Sequence, residues 1–381
     1  MENNETECAC ALGKEFGYEP RTALALVETL GSAAAVFDRP LKERDALLGP
    51  WSKYSGMLTD ALLESTAAEL GELEKQGCRY IPLSDPSFPE ALRECEDPPA
   101  GLWYKSASSP EEIFGKRPAI AIVGTRDMSP YGKEWCTRIV CALSQAPVKP
   151  VIVSGLAFGV DITAHMAALG YGLPTIAVLP NGIETVYPKA HGVAAAKIAS
   201  APGSALVTDY PPGTGPVAFT FLRRNRIIAA LSRATILIES RKHGGGLITA
   251  RLAAGYGREV FALPGRLDDL RSEGCNIIIR EKTAEPIAGL SEVGEQLGLG
   301  KYNLRKTASF MEKVRSVCEG LGEERRRKLC LVAEAVKKSR GITVDELCET
   351  LGLPYSEVSG CVLTLESDSL ITTDLLGRCS V

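Results

Sequence analysis

The spacing of apolar residues changes character along this chain and divides it into three parts. In the first, short apolar groups such as Ala23-Leu24-Ala25-Leu26-Val27 and Ala61-Leu62-Leu63 recur with helical character, broken by Gly17, Gly31 and Gly49-Pro50. They predict a small domain of short helices over residues 1–77. A connector with strand character follows, at Tyr80–Leu83 and Leu102–Tyr104 with Pro98-Pro99 between them, and Ser106–Pro110 reads as a loop. From Pro118 the pattern becomes continuous apolar runs alternating with helical segments. The runs are Ala119–Val123, Val151–Val153, Thr175–Leu179, Ala205–Val207, Thr235–Ile238, Val260–Leu263 and Asn276–Ile279. The helical segments include Lys133–Leu143, Thr163–Leu169 and Ile248–Ala254. Strands apolar on both faces are buried on both faces, as parallel strands are. The alternation predicts an α/β fold, a doubly wound, mostly parallel sheet over residues 78–300. Such sheets bind ligands beyond the carboxyl ends of their strands.

Lys301–Arg305 reads as a linker, and a last domain spans 307–381. It has one helix at Lys328–Val336 and a second opened by Thr343, with Glu346 completing a capping box. A turn at Gly352-Leu353-Pro354 leads to a third helix over Ser356–Glu366. Ile371–Thr373 and Arg378–Ser380 complete a hairpin, giving a winged-helix-like pattern. Yet Tyr355–Leu370 holds no lysine or arginine and carries Glu357, Glu366 and Asp368. A helix meant for the major groove carries basic residues, so a protein-contact or stabilising role is expected here instead.

Composition narrows the function. A 45% hydrophobic fraction supports a sizeable core, and a net charge of −4 means that any nucleic-acid surface must be a local patch. The 12 cysteines include no Cys-x-x-Cys pair and the 3 histidines are scattered, so reduced core thiols are expected, with no metal site. The acidic opening Met1–Glu7 lacks the order of a secretory leader, and no apolar run approaches a bilayer span. A cytoplasmic protein is expected.

The candidate chemistry lies at the strand ends. Gly124-Thr125-Arg126 follows the first parallel strand, offering a sharp turn, a hydroxyl and a planar fork for phosphate. Ser154-Gly155-Leu156-Ala157-Phe158-Gly159 runs into a helix through Asp161, read as its N-cap, and reaches His165, which faces either the core or Asp161. Gly244-Gly245-Gly246 repeats the plan and leads to Thr249. Finally, Phe221-Leu222-Arg223-Arg224-Asn225-Arg226 opens an apolar helical stretch. Its arginines are expected to collect on one side near free backbone N–H groups, beside a ring able to stack a base. Neither the dinucleotide nor the P-loop fingerprint is present.

In this order the segments resemble the DNA processing protein A family, also called Smf. The family's Gly-Ser-Arg is matched by Gly124-Thr125-Arg126, and its Ser-Gly-x-Ala-x-Gly-Ile-Asp-x-x-Ala-His by Ser154–His165. Thr175–Val178, Gly182, Tyr187-Pro188, Phe221–Ile228, Gly245 or Gly246 to Ala250, Pro264-Gly265 and Gly274-Cys275-Asn276 continue the series, which covers roughly residues 80–280. Phe158 stands where the family often has arginine, and Leu222 where it has proline. Thr208-Asp209 replaces a Ser-Glu, and the Gly-Ala that usually closes the domain is absent after Arg280.

The resemblance implies an extended Rossmann domain with a helical N-terminal domain and a winged-helix-like C-terminal one. It implies a homodimer that binds single-stranded DNA, protects incoming strands and helps to load the strand-exchange recombinase in natural transformation. It implies no catalysis and no cofactor. Phosphates would lie on Arg126, Arg224 and the glycine loops, with Phe221 or Phe219 stacking a base. The leading rival is a nucleotide phosphoribohydrolase-like enzyme on a related fold, whose Pro-Gly-Gly-x-Gly-Thr-x-x-Glu loop this chain lacks. A second, a winged-helix regulator with a ligand-sensing sheet, is opposed by the acidic third helix.

Overall fold

A computed structural model describes residues 4–17, 19–49, 51–115, 117–300, 310–318, 320–339, 341–368, 370–374 and 377–380. The expected linker Lys301–Arg305 lies outside them. The chain divides into two compact units, Met1–Asn303 and Leu304–Val381.

The first unit is built on a nine-stranded sheet. Its strands are β1 (Cys78–Pro82), β2 (Gly101–Lys105), β3 (Ala119–Val123), β4 (Val151–Ser154), β5 (Thr175–Val178), β6 (Ala205–Thr208), β7 (Ala234–Leu237), β8 (Glu259–Ala262) and β9 (Glu285–Pro286), in the order β1-β2-β6-β5-β4-β3-β7-β8-β9. The strands from β6 across to β9 pair in parallel, whereas the expected connector forms β1 and β2, an antiparallel pair that extends the sheet beyond β6.

Alternation along each strand sorts the core into two layers. Ala121, Val123, Val151 and Val153 face the helices Ala218–Leu231 and Gly245–Gly255. Ile120, Ile122 and Ile152 face Pro130–Ser144 and Val160–Gly170. The chain winds from β3 outward through β4, β5 and β6, then returns to place β7 on the other side of β3. That reversal opens a crevice between the ends of β3 and β7, the usual ligand position in such sheets.

The expected strand Asn276–Ile279 is instead part of the helix Glu273–Arg280. Its buried apolar side chains, Cys275 and Ile278, are three apart, which is helical spacing in a run too short to show a period. Asn276 bonds both Gly265 N–H (3.2 Å) and Gly265 C=O (3.1 Å), which fastens the helix to the loop after β8.

Five helices, Glu5–Phe16, Pro20–Leu30, Ala33–Phe37, Leu41–Leu48 and Asp60–Lys75, make up the N-terminal part. Arg44 organises them. Only 3% exposed, it donates to the carbonyls of Leu58 (2.6 Å) and Arg39 (2.7 Å) and to the Asp60 carboxylate (2.8 Å). A buried cation satisfied in this way is costly to remove.

The second unit holds the helices Phe310–Val317, Glu323–Lys338, Val344–Leu351 and Tyr355–Ser367. The first was not anticipated from sequence. Thr343 and Glu346 form the expected capping box, with Thr343 N–H to Glu346 at 2.8 Å and Glu346 N–H to the Thr343 hydroxyl at 3.3 Å. β11 (Thr372–Thr373) pairs with β12 (Arg378–Ser380), and β10 (Ile342–Thr343) adds to its other edge. Among the described residues of the whole chain, no helix is long and apolar enough to cross a membrane.

Candidate nucleic-acid interface

The crevice at the switch point encloses about 700 Å³. Gly124, Thr125, Arg126 and Asp127 after β3 form one wall, and residues 241–246 after β7 form the other. Ala157 and Asp161 after β4 close one end. Phe221, Leu222, Arg224, Asn225 and Ile228 come from the helix Ala218–Leu231, and Thr249 from the helix Gly245–Gly255.

Close contact among the three loops explains their glycines. A methyl group at Gly155 would overlap the Arg224 guanidinium. One at Gly246 would press on the Gly124 backbone at 2.7 Å, and one at Gly159, whose φ is +75°, would strike the Thr125 carbonyl. Hydrogen bonds tie the same loops together, with Thr125 N–H on Glu239 C=O at 2.7 Å and Val160 N–H on Thr125 C=O at 3.2 Å. Gly245 and Gly246 are not loop residues, because the helix begins at Gly245. They form its first turn, where backbone N–H groups lack intrahelical partners.

Glu239 carries more of this arrangement than its sequence position suggests. It is fully buried, and its carboxylate accepts from Ser129 N–H (2.9 Å) and from the Ser129 hydroxyl. Ser129 in turn caps the helix Pro130–Ser144 through Gly132 N–H at 3.1 Å. A carboxylate suits that positive helix end. Through its carbonyl on Thr125 N–H and its carboxylate on Ser129, at least 110 residues away in sequence, Glu239 fixes both ends of the Arg126 loop.

Arg224 lies in the crevice wall, buried to 3% exposure, and donates to the carbonyls of Gly155 (2.7 Å) and Val178. Burial pushes its guanidinium down to about 10, which leaves it charged at neutral pH, and Asp161 opposes that shift. Burial likewise pushes the Asp161 carboxyl up, against the Arg224 charge and the N–H of Ala157 at 3.3 Å. Arg126 is exposed and lies 4.8 Å from the centre of the Phe221 ring, whose edge meets Tyr187 at 5.5 Å. The wall thus holds Arg126, Arg224, Arg241 and Lys242 against Asp127, Asp161 and Glu273, a modest positive excess. Asp127 offsets part of it by pairing with Arg241 (3.4 Å) and Arg271 (3.1 Å).

The structure therefore gathers Gly124, Thr125, Arg126, Phe221, Arg224, Asn225, Gly244, Gly245, Gly246 and Thr249 around one cavity. Other expected site residues fall outside its lining. Ser154 is buried and donates to Ile122 C=O at 2.6 Å. Gly155 and Gly159 serve the loop contacts described above. Phe158 is 50% exposed beyond the cavity, edge-on to His191 at 4.6 Å.

The arginines do not share a side. Their helix starts at Ala218, so they sit in its second and third turns, away from its first-turn N–H groups. Arg223 donates to Gly17 C=O near the N-terminal helices, while Arg226 is buried against Asp209 and Asp97. Asp161 is not the N-cap, a place taken by Gly159. His165 faces the core. It bonds Thr175 through Nδ1 at 2.7 Å, and burial, reinforced by Arg224 and His191, pushes it down to about 3.

The model for DNA recombination-mediator protein A matches residues 79–298. Protein Smf of Escherichia coli K12 is 38% identical over 218 residues, which is 57% of this chain and 56% of that protein. The chain thus spans little more than half of that relative's length. DNA processing protein DprA of Streptococcus pneumoniae R6 is 36% identical over 63% of this chain and 83% of its own. The X-ray structure of DNA processing protein A from Streptococcus pneumoniae superposes with a TM-score of 0.62 at 31% identity, covering 75% of this chain and 96% of that one. Its Helicobacter pylori counterpart, described for a single-stranded DNA binding mode, gives a TM-score of 0.51 at 30% identity over 57% and 96%.

Proposed function

The chain belongs to the DNA recombination-mediator protein A family, and on that premise we propose that its crevice binds single-stranded DNA. The observation that carries the reading is the convergence of Arg126, Arg224, the first-turn N–H groups of the helix at Gly245 and the Phe221 ring on one open cavity at the switch point. Arg224 is held in place by backbone carbonyls before any ligand arrives, so little ordering cost falls on the protein. Arg126, on the exposed rim, meets a phosphate with a planar fork. The Phe221 ring stacks a base whatever its identity, at about 1–3 kcal/mol per base.

In the cell this protein would act as a recombination mediator in natural transformation. It would shelter incoming strands as a cytoplasmic homodimer and pass them to the strand-exchange recombinase. The C-terminal unit, read as winged-helix-like, would contact protein rather than duplex, since its last helix, Tyr355–Ser367, carries no lysine or arginine.

The site is a binding site rather than a catalytic one. His165 is sealed from the crevice, and Asp161 is engaged by the Ala157 N–H and the Arg224 charge. Titrating labelled single-stranded and duplex DNA of equal length over a range of salt tests the reading. Preference for the single strand, with affinity falling steeply as salt rises, is expected. Equal affinity for both forms would refute it. Release of free base from nucleoside monophosphates would instead support a phosphoribohydrolase.

A further inference from the structure

The loop that follows β5 presents aromatic surface that the crevice does not use. Tyr187 is 42% exposed and meets the Phe221 ring edge-to-face, at 5.5 Å and 72°. Four residues on, His191 meets the Phe158 ring at 4.6 Å and 63°. Phe158 is itself 50% exposed and belongs to the loop after β4, the strand beside β5. Edge-on packing supports a ring while leaving a face open, the geometry that a stacked base requires.

The support is rigid. His191 Nδ1 bonds Leu156 C=O at 2.8 Å, which joins the two loops. Asn181, fully buried, donates to Gly182 C=O and Thr185 C=O, each at 2.9 Å, and to the Thr185 hydroxyl at 2.8 Å. Gly182 N–H bonds Thr214 C=O at 3.0 Å, and Glu184 accepts from Gly213 N–H at 2.8 Å. These bonds fix the loops that carry two half-exposed rings, so a base could stack on them with little ordering of the protein.

We propose that Tyr187 and Phe158 form a second base-stacking subsite, outside the crevice and continuous with it through Phe221, for nucleotides further along the same single strand. The order β7-β3-β4-β5 carries such a strand over three strand spacings, roughly 14–15 Å. This rests on the single-strand reading of the crevice and extends its footprint.

Fluorescence anisotropy with oligothymidylates of about 3 and about 15 nucleotides tests the proposal on the full chain, with circular dichroism melting to verify folding. The wild type should gain affinity on lengthening. Phe158→Ala, which leaves the Tyr187 support of Phe221 intact, should bind the short oligomer as the wild type does and lose at least about fivefold of that gain. Phe158→Trp should keep the gain and Phe158→Leu should not, since leucine replaces apolar bulk without a flat face. An undiminished gain in Phe158→Ala, a leucine variant equal to the tryptophan one, or an equal loss on both oligomers would overturn the subsite. If the wild type bound neither oligomer, the crevice reading itself would fall, and the subsite with it.

Discussion

Arg126→Ala separates binding from folding more cleanly than other changes in the crevice. The side chain is exposed and its contact with the fold is the Phe221 ring at 4.8 Å, worth about 0.5–1 kcal/mol at such a site. At about 2–4 °C per kcal/mol, the thermal midpoint should fall by no more than roughly 4 °C. Binding should suffer far more. A hydrogen bond to a charged group contributes about 1.5–3 kcal/mol, so affinity for a single strand should drop by about 10- to 150-fold. Each lost phosphate contact also lowers the slope of log K against log salt by about 0.7. Over a fourfold rise in salt, the wild type should therefore lose about 2.6-fold more affinity than the variant. Anisotropy titrations at about 50 and 200 mM salt measure both quantities. A folded variant with wild-type affinity and slope would mean that Arg126 touches no phosphate and that the crevice has been misread.

Three further outcomes follow from the same geometry. Asp127→Asn frees Arg241 and Arg271, whose exposed pairs with it contribute at most about 1 kcal/mol to stability, so single-strand affinity and its salt slope should rise while melting stays level; unchanged or weaker binding counts against it. Gly155→Ala places a methyl group against the Arg224 guanidinium and should cost about 2–4 kcal/mol in urea unfolding while weakening binding, and wild-type stability would contradict the close contact. His165 titrates near 6.5 in the unfolded chain and at about 3 when folded, so the stability it contributes is complete above pH 6.5 and is lost as pH falls toward 3. Between about pH 6 and pH 4 the unfolding free energy of His165→Gln should therefore fall less steeply than that of the wild type, by up to about 1.4 kcal/mol per pH unit, and parallel slopes would reject the assignment.

The sheet was legible because burial on both faces leaves an unbroken apolar run, and Ala119–Val123 and Thr175–Val178 are such runs. The Thr343 cap was legible because capping is local. The arginines were harder. Successive helical residues turn by about 100°, so Arg223, Arg224 and Arg226 cannot share a face, and only Arg224 reaches the crevice. Their burial depends on partners far away in sequence, namely Gly17, Asp97 and Asp209. Glu239 and Arg44 were overlooked for the same reason. A charged side chain reads as solvated until the fold supplies its bonding groups.

The interlocked glycine loops have a consequence for the guest rather than the host. A cleft that is already set cannot mould itself to whatever enters, so the polymer must do the adapting. Homopolymers whose bases stack on one another, such as polyadenylate tracts, must first give up that internal order, whereas limp thymidylate tracts need not. Selectivity among sequences can thus arise from the stiffness of the strand alone, with no base edge being read.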